Sequence, residues 1–258
     1  MITLEEYRSN LLKKISSSAN VADLPQFRED VFTEEALSIL IEADILDNPM
    51  PSPYKSHGVA VNAYDFDDEI KTLHLIVTSY EGVETLPTLP NGEIKKIFTR
   101  LEKFYNRSTT GLHEKIDESA EANDLSLIIE NNKEQIKRVD FTIVTDMVCR
   151  DQPGLDIELN HNVTASLSVW DIQRFYRYEH SGKIAQEILI NVKDYEFEKI
   201  NATIIPSDEK SYDIYIGVMS GQLLFNLYER WGTRLLERNV RAYLQARGAV
   251  NREIRRTI

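Results

Sequence analysis

Asp65, Asp67, Asp68 and Glu69, in the run Asp65-Phe-Asp-Asp-Glu69, form the densest carboxylate group in the chain. Hard divalent cations take several carboxylate oxygens. Asp65, Asp67 and Asp68 are therefore the candidate catalytic residues of a metal-dependent nuclease, with Glu35 from the preceding helix as a further carboxylate and Mg or Mn as the cofactor. A restriction-enzyme-like nuclease places an Asp on one strand and a Glu-x-Lys on the next. The Lys steadies the attacking water and the metal polarises the phosphate. The following strand here reads Leu73-His-Leu-Ile-Val-Thr-Ser79, with neither acid nor Lys. A solvated acidic turn between strands, where Asp is favoured in any case, explains the same residues and is the preferred reading.

Other chemistry has less support. His57, His74, His113, His161 and His180 are scattered and match no zinc spacing. There is no Gly-rich phosphate loop and no Gly-x-Ser-x-Gly elbow, so no cofactor is evident outside the nuclease reading. Cys149 stands alone in an apolar run, which fits a reducing cytoplasm and an inert buried thiol.

Charge is divided along the chain. The formal net charge is -12, yet residues 230–258 hold eight Arg against Glu237 and Glu253, a local balance of +6 that leaves -18 on the rest. Arg234, Arg238 and Arg241 fall on one face of a helix. With Arg252, Arg255 and Arg256 they are candidate contacts for nucleic acid or a protein partner, through bidentate donors to phosphate or carboxylate. Because the bulk is acidic, complementarity within the protein is favoured over nucleic acid. There is no signal peptide, and no run approaches the length of a membrane helix.

The elements that would hold these groups alternate between helix and strand. Thr3-Leu-Glu-Glu6 has the form of a capping box opening a first helix, and a second is expected from about Thr33 to Ile45. The prolines of Asn48 to Pro53 read as its stop. Gly58 to Tyr64 and Thr72 to Tyr80 read as strands joined by the acidic stretch, the second buried on both faces. A helix follows from Asn91, its expected cap, through Tyr105. Residues 106–111 read as a linker, and further helices pass through Ile116 and Ile128. Val139 to Cys149 is a strand and Leu155 to Thr164 another, then a short helix begins near Ser168. Ile184 to Val192 and Tyr212 to Val218 are further expected strands. Last comes a long helix with Leu223, Leu227 and Trp231 in its apolar stripe. The fold class is α/β (α+β), a mixed β-sheet flanked by helices and ending in that helix. The division is a mixed α/β domain over 1–219 and a helical segment over 220–258.

The segment Leu223-Leu-Phe-Asn-Leu-Tyr-Glu-Arg-Trp-Gly-Thr-Arg-Leu-Leu-Glu-Arg-Asn-Val-Arg-Ala-Tyr-Leu, with Val250-Asn-Arg-Glu-Ile-Arg-Arg-Thr257, resembles the abortive-infection phage-resistance family. Val169-Trp-Asp-Ile-Gln-Arg-Phe-Tyr176 and the Asp65 to Tyr80 region agree more loosely. The resemblance implies bacterial defence against phage in the cytoplasm, and a longer protein of which this chain is an N-terminal part. Family members tend to carry Asp-Gly on the first strand where this chain has Asn62-Ala63, which removes the carboxylate a nuclease most needs. A degenerate restriction-endonuclease-like core serving as an interaction or sensing module is thus the leading expectation. A metal-dependent nuclease through Asp65 to Asp68 comes second, and a nucleic-acid-binding domain through the Arg face third. Partners are the remaining C-terminal region, other protein chains or nucleic acid, with a homo-oligomer left open and no membrane.

Overall fold

The computed structural model describes residues 2–18, 25–56, 58–149, 157, 159–181, 190–195, 199–205 and 214–231. The chain divides into two compact units, Met1–Ile184 and Ala185–Ile258. The first begins with two helices, α1 (Leu4–Ser18) and α2 (Pro25–Glu42). The capping box forms: Thr3 N–H donates to Glu6 Oε2 at 2.9 Å and Glu6 N–H to Thr3 Oγ1 at 3.2 Å. α2 starts earlier than its apolar stripe suggests, with Pro25 at the first helical position, where its fixed φ suits a helix start.

Five strands form one sheet in the order β1-β2-β3-β4-β5: Met50–Ser56, Val59–Asp67, Thr72–Ser79, Arg138–Thr145 and Thr164–Trp170. The first two junctions are antiparallel and the last two parallel. α3 (Asn91–Ser108) and α4 (Glu121–Asn132) lie between β3 and β4 in the chain, and α5 (Ile172–Ser181) follows β5. Helices and a mixed sheet are the expected class.

Side-chain alternation gives the sheet two apolar faces. Leu75, Val77, Phe141, Ile143 and Val169 pack with Phe98, Leu101 and Leu125 of α3 and α4. Ile76, Val144 and Trp170 pack with Ile15, Phe32, Leu40 and Phe175 of α1, α2 and α5. Every residue of β3 from Thr72 to Thr78 is buried, as the break in alternation at Ile76 and Val77 implies.

Several local expectations are corrected. α2 ends at Glu42, ahead of the prolines expected to stop it, and β1 forms across Pro51 and Pro53, where no strand is expected. It is an edge strand paired to β2 alone, with its register shifting between Pro51 and Tyr54, and an edge tolerates missing donors. Asp65 and Asp67 belong to β2 and do not lie in the turn. α3 is preceded by Pro90 as its N-cap, so Asn91 is its first residue and not its cap. Residues 160–162 are a 3-10 turn and the strand is Thr164–Trp170, whose polar and apolar residues alternate. The helix expected near Ser168 starts at Ile172, where Asp171 caps it by accepting the Arg174 N–H at 2.9 Å.

In the second unit, β6 (Ala202–Ile205) and β7 (Ile214–Gly217) form an antiparallel pair, and α6 runs from Gly221 to Trp231. Leu223 and Leu227 of its apolar stripe are buried. A longer terminal helix is not established: residues 232–258 lie outside the described part. Most of the strand expected at 184–192 lies there too. Its end is not strand, since Val192 opens a 3-10 turn.

Candidate functional site

Beyond the pair Ala63–Ile76 the β2–β3 ladder stops, although both strands continue. Where they part lies an open cleft of about 1350 Å³. Asn62 sits at the apex and both ends of its amide are engaged. Its Oδ1 accepts the Thr78 N–H at 2.9 Å, and its Nδ2 donates to Glu29 Oε1 of α2 at 3.2 Å. Thr33, one turn on from Glu29, donates its hydroxyl to the Glu29 carbonyl at 2.8 Å. The Thr33 and Thr78 hydroxyls lie 2.7 Å apart, both buried. Four residues from three elements thus close one polar cluster against a buried sheet.

The next wall is the segment after β3. The Tyr80 ring stacks on Phe32 at 5.3 Å, and burial raises its hydroxyl pKa, with the Asp146 charge adding to the effect. Gly82 has φ +65°, and a Cβ there would stand 2.7 Å from the Tyr80 ring, so glycine is required twice over. This segment is latched from below. Asp146, fully buried after β4, accepts the Glu81 and Gly82 N–H groups at 2.8 and 3.0 Å and pairs with Arg8 of α1 at 2.7 Å. Arg8 also donates to the carbonyls of Val83 and Thr85 at 2.6 and 3.1 Å. A buried charge is tolerable only when its hydrogen bonds are filled, and here they are.

The three sequence-derived carboxylates lie toward the other end of β2. Asp65 is 4% exposed and accepts the Asp47 N–H at 2.7 Å, tying down the loop after α2. Asp67 accepts the N–H groups of Glu69 and Ile70 at 2.9 and 3.1 Å, which shapes the turn into β3. Asp68 pairs with Lys71 at 2.5 Å, and Glu35 pairs with Lys14. Between β3 and β4, His74 and Asp140 stand 3.9 Å apart, and Asp140 also accepts from Arg138 and Ser166 at 2.7 and 2.6 Å. Among the described residues, no three His, Cys, Asp or Glu converge as a metal cage. At the cleft apex the donor set is one carboxylate and one amide whose oxygen already holds an N–H. That set does not fit Mg or Mn, which take several anionic oxygens.

Cys149 has its thiol pushed up to about 12 by burial, with the Asp171 charge adding to the effect. Asp171 itself is raised by burial, although it accepts the Cys149 N–H at 2.9 Å as well as that of Arg174. The candidate contacts Arg234, Arg238, Arg241, Arg252, Arg255 and Arg256 all lie outside the described residues.

Asn62 is legible in the sequence as a departure from a pattern, whereas Glu29, Thr33 and Thr78 are not. They are ordinary helix and strand residues, and only the folded register brings them to Asn62. The acidic run drew attention by density, while its members act mainly on neighbouring backbone.

Fold and cleft together define a mixed-sheet α/β domain with a polar cluster at the parting of two antiparallel strands. The family profile described as "Abortive infection phage resistance protein N-terminal domain" matches residues 32–177, more than half of the chain, and the chain belongs to that family. No curated protein and no solved structure matches it. Membership carries a role in phage resistance by abortive infection. No helix among the described residues is long and apolar enough to cross a membrane.

Proposed function

We propose that this domain is a recognition module of a bacterial anti-phage protein, built like a restriction-enzyme core whose catalytic set is incomplete. The observation that carries this reading is Asn62. The resemblance leads one to expect a carboxylate at that position of β2, and here an amide spends its oxygen on the Thr78 N–H and its nitrogen on Glu29. The adjoining strand end offers Thr78, Ser79 and Tyr80 in place of an acid and a Lys. Partial hydrogen bonding to backbone also weighs against Asp65 and Asp67 as free metal ligands. The partners we favour are other protein chains or further parts of the same protein, met in the cytoplasm.

The test is cleavage. Purified protein is incubated with single- and double-stranded DNA and RNA in magnesium or manganese. The expected result is no cleavage above that of the buffer. Metal-dependent cleavage that disappears in Asp65→Ala sinks this reading in favour of the nuclease.

A further inference from the structure

α3 is basic in a chain whose formal net charge is -12. Over Asn91–Ser108 it holds Lys95, Lys96, Arg100, Lys103 and Arg107 against Glu93 and Glu102, a local balance of +3. Its apolar residues fix the side it buries, with Ile94, Phe98, Leu101, Phe104 and Tyr105 in the core on that face of the sheet. The cations take the other side. Lys96, Arg100, Lys103 and Arg107 fall at i, i+4, i+7 and i+11, which aligns them in one stripe, and all four are exposed. The stripe runs about 16 Å along the axis, at about 1.5 Å per residue.

Glu93 pairs with Lys96 at 2.6 Å at the N-terminal end of the stripe, and Glu102 falls on a different side of the helix. Like charges three and four residues apart repel, so the arrangement costs the helix support that alternating Glu and Lys would give. Arg100 and Lys103 make no ion pair among the described residues. Lys55 of β1, also exposed, lies with Arg100 along the rim of the cleft and widens the stripe from a second element.

We infer that the exposed face of α3 binds the phosphate backbone of duplex DNA without reading its sequence. A basic stripe along one helix face is the electrostatic footprint of such a contact, because Lys and Arg that neutralise phosphates release condensed counterions. The acidic remainder of the chain does not prevent it: at about 0.1 M salt, exposed charges more than about 10 Å away are largely screened. Other partners fit less well. Single strands are held by exposed aromatic rings, and Phe98, Phe104 and Tyr105 are buried. A membrane surface takes apolar side chains beside the cations, and no large apolar side chain of α3 is exposed. The major groove of an RNA duplex is too narrow for side chains, whereas that of B-DNA admits a helix. This contact goes beyond the recognition reading above and lies on a different surface.

The whole chain is titrated with two fluorescein-labelled DNA duplexes of unrelated sequence, in about 50 to 200 mM salt. The two should bind alike, and affinity should fall on the order of a hundredfold across that range, as about four phosphate contacts require. Arg100→Gln with Lys103→Gln should lower the slope of log affinity against log salt by about two. Lys13→Gln with Lys193→Gln, also at exposed positions, makes the same change of net charge away from α3 and should leave the slope unchanged. Circular dichroism confirms that each variant is folded. The inference is overturned if neither duplex binds, if oligothymidine or an RNA duplex binds more tightly, or if polyglutamate of equal charge competes as well as DNA. It is overturned too if the α3 pair keeps the original slope or the control pair loses as much. Absent binding without metal-dependent cleavage overturns this inference alone, whereas cleavage overturns the recognition reading and leaves this contact standing.

Discussion

Replacing Arg8 by Met should cost far more than its place on the first helix suggests. Arg8 is 2% exposed and Asp146 is fully buried, with 2.7 Å between Nη2 and Oδ2. Arg8 Nε also donates to the Asp146 carbonyl at 2.8 Å. Removing one partner leaves the other as an uncompensated buried charge, which costs about 3–5 kcal/mol. For a unit of this size each kcal/mol is worth about 2–4 °C, so Tm should fall by roughly 6–20 °C. Asp146→Leu should cost at least as much, because the Glu81 and Gly82 N–H groups lose their acceptor too. The double variant should lose less than the sum, since no lone charge remains. Urea denaturation of the four proteins gives the cycle. Single losses below about 1 kcal/mol that add without coupling would refute the claim that this pair fixes the cleft wall.

The same wall should resist a smaller change. Gly82→Ala places a Cβ against the Tyr80 ring at a left-handed φ and should cost about 1–3 kcal/mol, with a changed near-ultraviolet dichroism from Tyr80; a neutral effect argues against the described turn. Asn62→Asp removes the donor to Glu29 and sets two carboxylates face to face, so denaturant titration should show a loss of about 1.5–3 kcal/mol. An unchanged midpoint there means the contact is not maintained in solution. Cys149 should stay unreactive toward a thiol reagent at pH 8 until the chain is unfolded, because burial lifts its pKa from 9.0 to about 12. A raised folded-state pKa gives stability that is full below the unfolded value and lost as pH climbs through the folded one. The thiol's share should therefore fade between about pH 9 and 12, which Cys149→Ser should flatten in a stability–pH profile.

Local signals carried much of the architecture. The Thr3–Glu6 box, the stripe of α3 and the adjacent Ile76 and Val77 of β3 each depend on neighbours in sequence, and each formed as expected. What went unread depends on partners far away. Proline forbids a central strand, so β1 is possible only because it ends up at an edge, and no local pattern announces that position. Thr164–Trp170 alternates, but a Trp followed by an amphipathic helix pulled the expected helix start forward into it. The site shows the same divide. Asn62 was legible as a missing carboxylate, while its partners Glu29 and Thr78 lie on other elements and only the parting of β2 from β3 joins them. Asp65 and Asp67 look like metal ligands in the sequence because density is visible there and backbone partners are not.

Although carboxylates line the cleft, no three of them converge with one another or with a histidine as a metal centre among the described residues. Manganese titrated into the purified chain and followed by electron paramagnetic resonance tests this most directly. The expected result is no stoichiometric tight site, and an unchanged free-manganese signal in Glu29→Gln. One bound manganese per chain, lost in Glu29→Gln or Asp65→Ala, would contradict it.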